Sequence, residues 1–228
     1  MKTVLITGAN RGMGQQTGRE LSGNGYRVYL GTRSPEANGE PVKDIKGETF
    51  WMTIDVSESE SIRRASKWLA ERETTLDVLI NNAGIFPDKQ RSITNISRNQ
   101  LVATFQINTF GPIEVTQAFL ELLRKSGAAR VINLSSGYGQ LNGLSADVPS
   151  YCLSKLALNG VTLMMADKLK ADRIAVNSVD PGWVRTDMGG RNASRKVEEG
   201  AAGIVWLASE APHELTGRFF RDGQEIEW

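Results

Sequence analysis

Short β-branched and apolar runs recur along the chain with helical stretches between most of them, and this alternation restricts the fold more than any other feature. The candidate strands are TVLIT (3–7), YRVYLG (26–31), TFWMTI (49–54), LDVLIN (76–81), RVINLS (130–135), RIAVNSV (173–179) and a short GRFFR (217–221). Helical composition follows the first run in QQTGRELSGNGY, which breaks at Gly23 and Gly25, and returns over 57–72, 97–125, 151–170 and 196–208. The second of these opens on SESE, a Ser57-to-Glu60 capping-box spacing. Residues 34–48, rich in Gly and Pro, read as a loop or a stunted helix. Strand and helix in turn imply a parallel sheet covered on both faces, joined by right-handed crossovers. No linker or repeat divides the 228 residues, so the expected organisation is one α/β domain, 1–228.

Such sheets bind ligands at the carboxyl ends of their strands. The first strand ends in TGANRGMG (7–14), whose glycines allow close backbone approach while the following helix offers unpaired N–H groups and a partial positive charge to a pyrophosphate. The fourth ends in NNAG (81–84), the fifth in NLSSGYG (133–139) and the sixth in VDPGWVRTDM (179–188). Each ending alone is ordinary turn chemistry. Together they make one rim. In SYCLSKLALNG, Tyr151 and Lys155 stand four residues apart at a helix start and so share a face. An arbitrary pair at this spacing is usually a surface tyrosine lying on a lysine stem; here it has a polar rim beside it.

Composition narrows the partners. A formal charge of +1 leaves no electrostatic footprint for nucleic acid or an anionic membrane surface. No stretch of about 18 apolar residues is present, and the chain opens directly on a strand, so a cytoplasmic protein with a small-molecule substrate and no membrane contact is expected. The single cysteine, Cys152, agrees with a reducing compartment, where the sequons NIS, NLS and NAS stay idle. Neither Cys152 nor the lone His213 is a candidate catalyst, and no metal site is expected.

With these motifs in order, the chain resembles a short-chain dehydrogenase/reductase along essentially its whole length, in the carbonyl-reductase-like branch. Thr7, Gly8, Gly12 and Gly14 match that family's T-G-x-x-x-G-x-G, Asn81 to Gly84 its N-N-A-G, Tyr151 and Lys155 its Y-x-x-x-K, and Pro181 and Gly182 its P-G, with Thr186 following. The resemblance implies a Rossmann-type doubly wound parallel sheet of about seven strands with helices on both faces. It also implies a nicotinamide cofactor held by Gly8, Asn10, Arg11, Gly12, Met13, Gly14, Arg33, Asp55, Val56, Asn82, Ala83, Gly84, Tyr151, Lys155, Pro181, Gly182, Val184 and Thr186. The catalytic serine falls on Ser136, with Ser135 as the alternative, and the active-site asparagine on Asn108, inside the long helix. In the family this helix and the tyrosine helix often pair across a two-fold axis, so a homo-oligomer, dimer or tetramer, is expected.

The roles follow from acid–base chemistry. Tyrosine near pKa 10 is a poor catalyst at neutral pH, and a lysine cation one turn away, aided by an oxidised nicotinamide, is expected to favour its phenolate. The resemblance then implies that Tyr151 donates a proton to a carbonyl oxygen held by Ser136, that Lys155 also binds the nicotinamide ribose, and that Asn108 holds a relay water. Around the reacting carbonyl lie Tyr138, Leu141, Leu144, Val148, Trp183 and Met188, an apolar set that suits a ketone or aldehyde. Past strand two the chain reads LGTRSPE, with Arg33 and no acid before Glu36. A guanidinium suits a 2′-phosphate, and Arg11 is placed to reach the same group, so NADP(H) is expected over NAD(H). The competing readings are an NAD-dependent alcohol dehydrogenase and a non-catalytic NADP(H)-binding regulator, the latter disfavoured by the intact Tyr/Lys pair.

Overall fold

The computed structural model describes residues 1–38, 47–88 and 90–228. Seven strands run parallel: β1 (Thr3–Ile6), β2 (Arg27–Thr32), β3 (Thr49–Thr53), β4 (Val78–Asn81), β5 (Arg130–Leu134), β6 (Ala175–Val179) and β7 (Phe219–Arg221). An eighth, β8 (Gln224–Ile226), pairs antiparallel with β7, giving the order β3-β2-β1-β4-β5-β6-β7-β8. β8 escaped the sequence reading although its turn carries the Asp222–Gly223 hairpin signal, with φ of 53° and 74°.

Each central strand feeds alternate residues to two cores, which is why its sequence is apolar throughout. Val4, Ile6, Val78, Ile80 and Ile132 meet α1 (Gly12–Gly23) and α7 (Val197–Ser209) on one face. Leu5, Leu79, Val131 and Val176 meet α2 (Ser59–Ala70), α4 (Gly111–Ala118), α5 (Leu120–Ser126) and α6 (Pro149–Leu169) on the other. The sheet is therefore doubly wound, and the order reverses between β1 and β4.

Two local expectations need correction. The stretch expected as one helix over 97–125 is α3 (Arg98–Phe105), a π-helical turn over Gln106–Phe110, α4, and α5 after a break at Phe119. The wide turn is common at functional sites, and it carries Asn108. The capping box at Ser57 does not form: α2 starts at Ser59, Glu58 makes no cap bond, and the Ser57 hydroxyl donates to Asp55 Oδ1 at 2.6 Å. Residues 34–48, expected as a loop or a stunted helix, hold a 3₁₀ turn at Pro35–Asn38, while 39–46 lie outside the described residues.

A buried polar row fixes α6 on the sheet. Asn81 Nδ2 donates to Asn133 Oδ1 (2.9 Å), Asn133 Nδ2 donates to Thr162 Oγ1 (2.8 Å), and Thr162 and Ser178 share a bond of 2.8 Å. Such bonds lose their value if misaligned by a turn. The helix that carries Tyr151 and Lys155 is thereby set in register.

Candidate active site

The loops after β1 and β4 are bonded to each other before any ligand is considered. Thr7 Oγ1 accepts from the main-chain N–H groups of Asn82 and Ala83, each at 3.1 Å, and Asn82 Nδ2 donates to the carbonyls of Thr7 (2.8 Å) and Gly8 (2.9 Å). Gly8 has φ +64°, and a Cβ there would stand 2.8 Å from Ala83 Cα. At Gly14 a Cβ would stand 2.5 Å from Asn82 Nδ2. Helix α1 begins with no side-chain cap and no acid in its first turn, which leaves its leading N–H groups to an anion. The donor set and the space left by missing Cβ atoms fit a dinucleotide pyrophosphate.

Met13 and Val184 are buried in the core between sheet, α1 and α7. Gly182 takes φ +72° after Pro181, and Thr186 packs toward Gly12, whose Cβ would lie 3.4 Å from Thr186 Cγ2. Asn10 and Gly84 are half-buried on the same rim. Asp55 turns its Oδ1 to the Ser57 N–H (2.9 Å) and hydroxyl, and Val56 is buried. Arg33 is exposed at the end of β2. Arg11, expected to share a ligand with it, is 3.0 Å from Asp187, both side chains about three-quarters exposed. That exposed pair contributes only ~0–1 kcal/mol and is free to exchange for a stronger anion.

Across the rim, α6 brings Tyr151 and Lys155 together, with Lys155 Nζ 5.6 Å from the tyrosine ring centroid. Lys155 is buried, and its ammonium donates to the Leu134 carbonyl at 2.6 Å. Desolvation pulls its pKa down to about 8. In the protein alone, burial raises the Tyr151 pKa well above the ordinary value, against a hydrogen bond from Ser136 that favours the phenolate, while Asp180 adds to the rise. Desolvation is the largest influence on the phenol, and Lys155, 5.6 Å from the ring, does not offset it. Of the two serines, Ser136 reaches Tyr151, whereas Ser135 is buried and donates to Asn159 Oδ1 at 2.6 Å.

Asn108 is fully buried and spends its side chain on structure. Its Oδ1 accepts from Ile85 N (2.8 Å), and its Nδ2 donates to Ile85 O (2.9 Å) and Ser154 Oγ (3.0 Å). The Ser154 hydroxyl in turn donates to the Tyr151 carbonyl at 2.8 Å. Phe86, missed in the sequence because nothing marks it beyond its place after NNAG, lays its ring 4.7 Å from that of Tyr151. Tyr138 meets the same ring edge-on at 6.3 Å. Also missed were Asp88 and the pair Asp180–Arg221, joined by side chains far apart in sequence.

Tyr138, Leu141, Leu144, Trp183 and Met188 are all exposed, five of the twelve large apolar side chains described as exposed. Their concentration on two loops beside Tyr151 is what a binding surface for an apolar ligand requires. Cys152 is buried on the neighbouring face of α6. His213 bonds the Ala129 carbonyl, before β5 begins, at the opposite end of the strands. Among the described residues no group of His, Cys, Asp or Glu is placed to hold a metal, and no helix is long and apolar enough to cross a membrane.

The family model described as short chain dehydrogenase matches residues 2–197. The chain belongs to this family. It is 37% identical to the short-chain dehydrogenase anuI of Penicillium roqueforti, over 96% of this chain and 93% of that protein. With human retinol dehydrogenase 13 it shares 32% identity over 92% and 68% of the two chains. The solved structures of an NADPH-bound carbonyl reductase from chicken fatty liver (TM-score 0.90, 29% identity, 100% of this chain and 99% of that one) and of the carbonyl reductase Sniffer of D. melanogaster (0.85, 30%, 100% of both) superpose along the whole sheet. The chain is therefore an oxidoreductase of a family that uses nicotinamide cofactors, with carbonyl reductases among its solved structural neighbours.

Proposed function

We propose that the protein is a cytoplasmic NADPH-dependent carbonyl reductase that converts an apolar ketone or aldehyde to its alcohol, with Tyr151 as proton donor. The observation that carries this reading is the convergence of Tyr151, Lys155 and Ser136 between a glycine-built cradle and a bank of exposed apolar side chains. The likeness to an NADPH-bound carbonyl reductase supports it.

Gly8, Gly12, Gly14, Asn82 to Gly84, Pro181, Gly182 and Thr186 hold the cofactor, with Arg33 on the 2′-phosphate. When bound, the dihydronicotinamide supplies a hydride to the carbonyl carbon. Ser136 donates to the substrate oxygen as charge develops there, the arrangement that stabilises oxyanions. Tyr151 gives that oxygen its proton. A phenol raised by burial stays protonated at neutral pH, the form a reductase needs at the start of each turnover. Lys155 stands beside the phenolate left behind and supplies the nearest cation. Asn108 holds Ile85 and Ser154 in place, so its part in proton relay passes through a frame its side chain keeps rigid.

Helices α3 and α6 pack together and, with the π turn between α3 and α4, expose Val102, Phe110, Leu163 and Met164. A second copy of the chain covers this apolar surface in a homodimer. The function is tested by NADPH oxidation over a panel of aldehydes, ketones and quinones, where turnover of apolar members is expected. Equal use of NADH and NADPH, or turnover confined to charged substrates, contradicts the reading.

A further inference from the structure

Two carboxylates are buried among the described residues, Asp88 and Asp180. Asp180 bonds the Arg221 guanidinium. Asp88 forms no ion pair with a described residue. Its bonds go instead to the start of α6: Oδ2 accepts from the Tyr151 N–H at 2.7 Å and Oδ1 from the Ser150 hydroxyl at 2.5 Å, with Gln100 Nε2 adding a bond at 3.1 Å. The helix needs this. Val148 at its N-cap has no side-chain acceptor, and Pro149 occupies the first turn, so the orphan donor at Tyr151 finds a partner only in another loop. The positive end of the helix dipole also offsets the buried charge.

The position of Asp88 in the chain gives the bond a second meaning. Four residues earlier NNAG closes on the glycine loop; between them Ile85 is clamped by Asn108 and Phe86 packs on the Tyr151 ring. One short segment thus touches Tyr151 at its ring and at its main chain. We propose that Asp88 is a positioning residue for catalysis, locking the Tyr151 end of α6 to the cofactor loop so that phenol and cradle keep a fixed separation. This rests on the reading of Tyr151 as proton donor.

The test compares Asp88→Leu, which has no acceptor, with Asp88→Asn, which keeps one. In Asp88→Leu, NADPH affinity by fluorescence titration and the carbonyl KM are expected to stay within about threefold of wild type. Its kcat is expected to fall roughly ten- to a hundredfold, the scale of a small misplacement of a reacting group. Hydrogen exchange at the Tyr151 amide should rise at least tenfold with β4 and β5 unchanged, and Asp88→Asn should lie between wild type and Asp88→Leu in both readouts. If Asp88→Leu does not fold, Asp88→Asn decides. Wild-type kcat, or wild-type exchange at Tyr151, in a folded variant overturns the proposal. If no carbonyl is turned over by the wild type, the functional reading fails separately, and the exchange measurement still reports whether Asp88 holds the helix.

Discussion

The loops after β1 and β4 and the loops after β5 and β6 lie at the same carboxyl end of the parallel sheet, and the two banks are made of different material. On the cofactor bank the chain bonds to itself: Thr7 to Asn82 and Ala83, Asn82 to Thr7 and Gly8, with Gly8 and Gly14 too close to neighbours for any Cβ. On the substrate bank, Leu141, Leu144, Trp183 and Met188 are exposed apolar side chains, and Trp183 Nε1 bonds inside its own loop, to the Gly189 carbonyl at 2.8 Å. A ligand shared by all members of a chemistry is recognised by backbone, which admits few residues at each position. A ligand particular to one enzyme is recognised by side-chain shape, which many residues satisfy.

Tyr151 stands between the banks, and its removal gives the largest expected effect. Tyr151→Phe keeps the ring packed on Phe86 while removing the proton donor, so turnover should fall roughly 10²–10⁴-fold with NADPH affinity unchanged. Near-normal turnover would break the division of labour between the banks.

Lys155 sharpens the contrast between stability and function. The unfolded chain keeps this lysine protonated to near the ordinary lysine value, while the folded one does so only to about 8. The unfolded state therefore binds the extra proton between those values, and stability rises with pH across that window. The burial penalty below pH 8 is about 3 kcal/mol. Lys155→Met should raise the denaturant midpoint at pH 7, with a gain that shrinks as pH climbs past 8, and should abolish useful turnover. A pH-independent change in stability would show that the lysine is not buried as a cation.

The cofactor bank is tested by Gly14→Ala. Its Cβ meets Asn82 Nδ2 at 2.5 Å and the Gly8 carbonyl at 2.8 Å, so the two loops must part. Overpacking of this kind costs about 1–3 kcal/mol, visible as a lower Tm together with weakened NADPH binding. Arg33→Asp leaves the fold alone and acts on cofactor choice. It should raise the NADPH KM far more than the NADH KM, by an amount corresponding to about 1–3 kcal/mol for charge-assisted bonds. An unchanged ratio would remove Arg33 from the phosphate site.

The same contrast explains what could be read from the sequence. The parallel strands were legible because burial on both faces demands unbroken apolar runs, and the cradle because few residues besides glycine fit at 8 and 14. The π turn around Asn108 was not, because the bonds that hold Asn108 reach residues distant in sequence, Ile85 and Ser154, and QINTF has no local mark of it. Asp88 caps a helix 63 residues away, a pairing no local pattern encodes. At Tyr151 the spacing reports the neighbouring lysine and not the desolvation around both, which in the protein alone raises the phenol and lowers the lysine.

The smallest effect belongs to the substrate bank, and Leu141 gives its cleanest form. At 71% exposure its side chain supports little of the fold, so Leu141→Ala should change stability by less than about 0.5 kcal/mol. What it offers a ligand is apolar area, and losing it matters only to substrates long enough to cover it. The KM for a bulky apolar ketone should rise roughly three- to tenfold, the range set by a few methylenes' contact in a hydrophobic pocket, while a small aldehyde and NADPH are handled as in wild type. A drop in stability comparable to that of Gly14→Ala would make the two banks alike. An equal change for large and small substrates would place Leu141 outside the substrate's reach and leave Tyr138, Trp183 and Met188 to form the apolar wall.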